Sequence, residues 1–394
     1  MRHWIGACAA AVGLGLAAAA HASTVVAPSI GGRNSGLSGS DVATPEDGPS
    51  ILLSNPAGAV GQTGTRLNAS LFAIFFDGHY TNPDIDYDTK SSETPMAPTV
   101  WLATDRVAPW TLGMGVYGSV GASFNFPGDP GAGIPNRFYS ETTIIQLGLV
   151  AGREIAPGLR FAIQPAPTYG RIRANYPSPL GAVSFDIDGF GMAGVVGLIY
   201  DLTAETKLGV SYRTPGIIYM SGDGEVGSAP DHIDLHLHLP QSVSFGFAHD
   251  LTPRLMLSAS ARWTDYPQFE EGQLDFHNNP PLSQGPFTST RATFRYSAGA
   301  EYELMKEHIW VRGGVSREEW MMEASSLSPV IYDTTDTLFG LGLGGSFENW
   351  TIDMVIGLPI IEERVISSLK NPAFPGNYDT SGGVAGISIA YNFN

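Results

Sequence analysis

Beyond residue 66 the chain alternates. Leu208, Val210 and Tyr212 share one face against Lys207, Gly209, Ser211 and Arg213. Ala292, Phe294, Tyr296, Ala298, Ala300 and Tyr302 oppose Arg291, Thr293, Arg295, Ser297, Gly299 and Glu301. Near the end Ile387, Ile389, Tyr391 and Phe393 oppose Ser388, Ala390 and Asn392. One face is apolar and aromatic, the other small and polar, and period two is the mark of a strand. The pattern predicts fourteen strands, at 66–80, 98–108, 110–126, 138–155, 158–173, 188–202, 205–225, 231–250, 253–276, 290–305, 307–322, 335–348, 350–366 and 378–393. Connections after even strands are tight, as at Ala156-Pro157, Thr203-Ala204 and Asn349. Those after odd strands are longer: 81–97, 127–137, 174–187, 277–289, 323–334 and 367–377, with 226–230 short. An even strand count with alternating short and long connections describes an all-β protein, a 14-stranded antiparallel transmembrane β-barrel of a bacterial outer membrane. Such a barrel leaves no strand edge unpaired. A soluble sandwich or propeller would hide the apolar face inside, and no blade-length repeat supports one.

Composition narrows the partners. Acidic residues outnumber basic ones, 38 to 21, for a net charge of −17. That balance argues against nucleic acid or anionic headgroups as general partners. Residues 1–22 read as a signal peptide: Arg2, an uncharged run from Ile5 to Ala20, and a small-x-small site at Ala20-His21-Ala22. The sole cysteine, Cys8, falls in this leader, so no disulfide framework or thiolate metal site is expected. No cofactor is called for.

Residues 23–65 are small, polar and glycine-rich, without alternation. Pro49 suits the first position of a short helix through Ile51-Leu52-Leu53, and Asn55 before Pro56 ends it. A fourteen-stranded lumen is wide enough to need a plug unless the pore is open. The stretch Ser54-Asn55-Pro56-Ala57-Gly58, just ahead of the first strand, resembles the hatch signature of the FadL-type long-chain fatty-acid transporters, a family that includes TodX-like toluene-uptake proteins. The resemblance continues in order through 208–213, 239–247, 252–254, 263–265, 294–302 and 377–381. It implies a monomeric barrel (66–394) plugged by its N-terminal hatch (23–65), taking hydrophobic molecules from outside and releasing them sideways into outer-membrane lipid. The fourth outer loop, 226–230, is short where the family carries longer loops.

A fatty-acid carboxylate inside a barrel needs a cation. The resemblance points to Arg171 and Arg291, near the top of strand five and the start of strand ten. Arg171 shares its parity with lipid-facing Leu159, Phe161 and Ile163, so a bulge at Pro165 or Pro167 is required to turn it inward. Otherwise Arg171, Arg173 and Arg291 belong to the rim, and Arg213, Arg262, Arg295 and Arg312 to a lumen network with Glu301 and Glu318. His232, Asp234, His236 and His238 share one face, read as inward. Neighbours ~7 Å apart along a strand cannot converge on one ion, so no metal site is expected. A lipid hydrolase would need Ser, His and a carboxylate at one level, and no G-x-S-x-G nucleophile motif appears. A non-specific porin would explain the barrel but leave the hatch segment without a purpose. Gly113, Gly115, Gly118 and Gly121 crowd strand three, where glycine permits an inward kink. The resemblance places the side exit at this kink, with the hatch around Asn55 lining the exposed backbone.

Overall fold

In a computed structural model the chain closes into a barrel; the structure describes residues 30–45, 48–178, 180–283, 289–329 and 333–393. The signal peptide and its cleavage site lie outside these residues. Fourteen strands build the wall. They are β1 (Thr65–Asn82), β2 (Tyr87–Glu93 and Met96–Val107), β3 (Trp110–Phe126), β4 (Phe138–Ala156) and β5 (Leu159–Ser178). Next come β6 (Gly181–Asp201), β7 (Thr206–Arg213 and Gly216–Val226), β8 (Ala229–Leu239 and Ser242–Thr252) and β9 (Leu255–Thr264 and Gln273–Phe276). The last are β10 (Thr293–Met305), β11 (Ile309–Glu318), β12 (Asp336–Phe347), β13 (Trp350–Ile361 and Arg364–Ile366) and β14 (Gly376–Phe393). All pair antiparallel, and β1 closes the ring on β14 from Thr65↔Phe393 to Thr81↔Asn377.

Parity holds within a band that faces lipid. On β1, Leu67, Leu71 and Phe75 point out while Asn68, Ser70 and Phe72 point in. Trp110, Trp350, Tyr391 and Phe393 ring the end of the wall that carries the tight turns, as an interfacial aromatic girdle does.

The strands run well past this band. β5 and β6 have 20 and 21 residues, where a crossing takes ~9–11. The expected long loops at 81–97 and 174–187 are therefore hairpins that extend the wall outward, with last rungs Asn82↔Tyr87 and Ser178↔Gly181. In this extension polarity inverts. Asp77, His79, Asp88 and His232 face out, while Tyr80, Ile218, Met220, Ile233, Leu235 and Leu237 pack inside with Phe124, Phe126 and Phe276. The outer face there meets water instead of lipid, so the apolar residues turn to the interior. This corrects the placement of the histidines: His236 and His238 face outward beside Leu235, Leu237 and Leu239, which face in.

Candidate functional site

The hatch, described over residues 30–45 and 48–64, runs through the lumen. A short helix α1 (Gly32–Gly36) packs on β11, β12, β13 and β14. Arg33 makes a two-pronged contact to Glu301 at 2.8 and 2.9 Å, and Glu301 also accepts from Arg312, which reaches Asp353. Two 3-10 turns follow, Pro49–Leu52 and Pro56–Ala59. Asn55 caps the second: its Oδ1 accepts from Ala57 N at 3.1 Å, and Pro56 occupies the first helical position. The Asn55 Nδ2 donates to Val42 O at 2.8 Å and to the wall carbonyls of Leu198 (3.0 Å) and Val210 (3.4 Å). Ala57 and Gly58 are buried in the same turn. Ile51, Leu52, Leu53, Ala59 and Val60 share an apolar cluster with Trp101, Tyr117, Val150 and Ile199 of the wall.

The lumen makes room with glycine. A Cβ at Gly197 would lie 2.0 Å from Asn55 Oδ1, one at Gly209 2.3 Å from Val42 O, and one at Gly340 2.3 Å from Ser35 O. Gly246, Gly299 and Gly314 press on Val42, Ser40 and Leu37 in the same way. Inward glycines on β6, β7, β8, β10, β11 and β12 thus seat the hatch.

Above the hatch and below the apolar extension lies a narrow chamber of about 30 Å³. It is bounded by Leu53 of the hatch and, from the wall, by Ser119, Gln146, Ala193, Arg213, Thr214, Leu239, Pro240, Ser242, Arg262, Thr264, Tyr266 and Glu318. β7 and β8 are both interrupted at this level, at Thr214-Pro215 and Pro240-Gln241. Arg213 Nη1 donates to Gln146 Oε1 at 3.1 Å, and its Nη2 to the hatch carbonyls Leu52 O and Leu53 O at 3.3 and 3.4 Å. Tyr117 OH donates to Gln146 Oε1 at 2.9 Å and accepts from Gln164 Nε2 at 3.2 Å; Gln164 also donates to Leu52 O at 3.0 Å.

Strand three carries a bulge here. Gly118 pairs with Ile145 and the next rung is Val120↔Ile144, leaving Ser119 extra. Ser119 is buried against the chamber and its Oγ has no hydrogen-bond partner. On its other side β3 pairs with β2 from Val107↔Trp110 up to Val100↔Val116. Beyond that rung no β2–β3 pair occurs among the described residues. Side chains bridge instead: Asn125 N donates to Ser91 Oγ at 2.8 Å, and Tyr87 OH and Thr89 Oγ1 donate to Pro127 O. Of the four glycines expected at the kink, Gly118 flanks the bulge and Gly121 lies above it, paired with Thr143. Gly113 and Gly115 lie below it and do something else. A Cβ on Gly113 would lie 2.1 Å from the Trp101 ring, and one on Gly115 2.6 Å from Leu52 Cδ1. The hatch residue beside strand three is therefore Leu52. Asn55 docks on β6 and β7, because its amide is committed to their carbonyls.

Neither expected arginine enters the chamber. Arg171 faces outward, 42% exposed, and pairs with Asp186 at 2.5 and 2.8 Å; this holds the Asp186 carboxyl below its usual range. The bulge needed to turn Arg171 inward does not form, since the β5–β6 register runs unbroken from Leu159↔Tyr200 to Ser178↔Gly181. Pro165 and Pro167 act differently. Lacking N–H groups, they interrupt the β4–β5 ladder between Gln146↔Thr168 and Ala151↔Ile163 without shifting it. Arg291 lies ahead of β10, stacked 3.6 Å over the Trp320 ring, donating to Trp320 O and to Glu319 at 2.9 Å each. Beside it, burial pushes Asp333 up to about 7 although Met321 N and Met322 N donate to it. The lumen arginines were legible from parity; that Arg213 and Arg262 border a chamber was not.

Residues 163–393 match the family described as outer membrane protein transport protein (OMPP1/FadL/TodX). Among solved structures, a FadL homologue of Pseudomonas aeruginosa superposes with a TM-score of 0.79 at 16% identity, over 94% of this chain and 100% of that one. The toluene transporter TodX of Pseudomonas putida gives 0.72 at 16% identity over 94% and 100%. The toluene transporter TbuX of Ralstonia pickettii gives 0.73 at 14% over 93% and 99%. No curated protein matches. With more than half of its length matched to the family and its fold shared with these barrels, the chain belongs to the FadL/TodX family of outer-membrane transport proteins, which are channels for hydrophobic compounds and not enzymes.

Proposed function

We propose that this barrel takes up a hydrophobic compound, a long-chain fatty acid or a hydrocarbon, into the chamber above the hatch and releases it sideways between β2 and β3 into the outer membrane. The observation that carries the reading is the coincidence of three features at one level. The lumen below the chamber is filled by the hatch. The chamber reaches Ser119 of the β3 bulge. The β2–β3 ladder stops one turn of the pleat below that bulge. An apolar ligand leaving there stays out of water throughout, whereas an axial route would carry it into the periplasm. A wall opening within the bilayer is tolerable only where protein lines it, and Leu52, Trp101 and Tyr117 pack behind this one. In this reading residues 23–65 are the plug and 66–394 the barrel. One chain closes its own wall, which supports a monomer.

The test is a covalent seal. Continuing the register, Thr99↔Tyr117 is the first missing rung and Pro98 and Gly118 would face each other at the second, and Cys8 is the only native cysteine. With cysteines at both positions, oxidation is expected to stop uptake of radiolabelled oleate or toluene by cells, and reduction to restore it. Uptake at the wild-type rate through the sealed wall would rule the route out.

A further inference from the structure

We propose that residues 319–329, between β11 and β12, are a lid over the outer mouth of the barrel, latched by Asp333 and Arg364, and that the transported compound enters the lumen where this lid lifts. The inference rests on the transport reading above and adds the entrance to it.

An apolar cluster closes the outer end of the lumen, so something there must move to admit a ligand. Most of the cluster is carried by strands in continuous ladders, as on β5–β6 up to Ser178↔Gly181 and β7–β8 up to Ala229↔Val226. Residues 319–329 differ. They give Met321, Met322 and Leu327 to the cluster, but their one ladder rung among the described residues is Thr290↔Met322. Glu319, Glu323 and Ser325 turn to water on the other side.

Neighbouring side chains hold this segment in place. Asp333 Oδ2 accepts from Met321 N at 2.6 Å and Met322 N at 2.8 Å. Arg364 Nη1 donates to Met322 O at 3.0 Å and Asp333 O at 3.1 Å. Trp320 lies between the Arg291 and Arg364 guanidinium groups, 3.6 and 4.6 Å from its ring. Asn371 Nδ2 donates to Ala324 O and Leu327 O. A cover fixed by a few such bonds opens far more easily than a ladder parts. Its inner face also suits varied apolar molecules, because methionine is unbranched and adaptable.

Asp333 makes the latch sensitive to protons. Burial outweighs the two amides and Arg364, 3.8 Å away, and pushes its carboxyl up to about 7. Glu318 on β11 pushes the same way, and Tyr266 after β9 also faces it. Arg364 is faced in turn by Glu323, Arg291 and Tyr378. Lifting the lid hydrates Asp333, where a carboxyl titrates near ~3.9. The latched state thus holds a proton that the lifted state releases. This contribution is full below about 4 and is lost as pH rises through about 7. Oδ2 takes both amides and Oδ1 has no partner, which leaves Oδ1 to carry the proton.

Two measurements on the full-length chain test the lid. The first is thiol labelling of the purified barrel at Leu327→Cys, buried in the lid, relative to Leu369→Cys, 95% exposed on the neighbouring loop. The ratio of the two rates cancels the thiol's own titration. It should rise roughly tenfold from pH 5 to pH 8, and stay low and flat when Asp333→Asn is added, since Asn accepts the same amides at every pH. Each variant is first checked for a folded barrel by heat-modifiable mobility. A flat ratio with Asp333 in place, or the same rise with Asn, would overturn the latch. The second is a lock across the isolated rung, Thr290→Cys with Met322→Cys. Oxidation should stop uptake of radiolabelled oleate or toluene by cells, and reduction should restore it. Undiminished uptake through the locked lid would overturn entry there and leave sideways release standing. No uptake of either compound by wild-type cells would overturn the transport reading and the entrance with it.

Discussion

A methyl group added at Gly197 would fall 2.0 Å from Asn55 Oδ1. That contact makes the residue a probe of the hatch, since the three nearest atoms a Cβ would meet belong to Asn55, Pro56 and Ala57. Gly197→Ala should cost ~1–3 kcal/mol of local overpacking. We expect a barrel that keeps its heat-modifiable mobility but loses the Asn55 contacts to Leu198 and Val210, seen as flickering conductance in single-channel recordings where the wild type is quiet. The Asn55-Pro56 pair was readable in the sequence as a helix boundary. Its seat was not, because the signal lay elsewhere: in the inward glycines Gly197, Gly209, Gly246, Gly299, Gly314 and Gly340, spread over six strands. Read strand by strand they look like a glycine-rich composition. Taken together on one face they outline the space the hatch fills. Arg171 lies outside the lumen for a related reason. Its inward turn required a bulge, and proline can break a ladder without adding a residue, which is what Pro165 and Pro167 do.

Within single strands, alternation was enough to set position and pairing for nearly the whole wall. What it lacked was height. The same apolar-polar alternation is right side out beside lipid and inside out beside water, so β8 was read with His236 and His238 in the lumen when Leu235 and Leu237 occupy it. The segments 81–97 and 174–187, rich in turn residues, hid hairpins for the same reason: above the bilayer a strand needs no apolar outer face. Strand three is the element where irregularity matters to function. Deleting Ser119 removes the extra residue between Gly118↔Ile145 and Val120↔Ile144 and leaves the pairing on either side in place. The straightened strand should extend its ladder with β2 past Val116 and slow uptake of a hydrophobic substrate severalfold. Unchanged uptake would show that the bulge has no part in release.

Across the molecule three storeys stand one on another. The hatch fills the barrel at the end with tight turns, the chamber lies over it, and the apolar interior of the extension closes the outer end. The arrangement separates this protein from an open porin of the same strand number, which would share the alternation, the girdle and the net charge. The difference lies in residues 30–64, whose contacts reach β3, β4, β6, β7, β8, β10, β11 and β12. Ionic current through a planar bilayer reads it directly. The full-length protein should be nearly silent, and deletion of residues 30–60 should produce large, stable openings from a barrel that still folds. A wild type that already conducts like the deletion, or a deletion that stays as silent as the wild type, would contradict a plugged barrel.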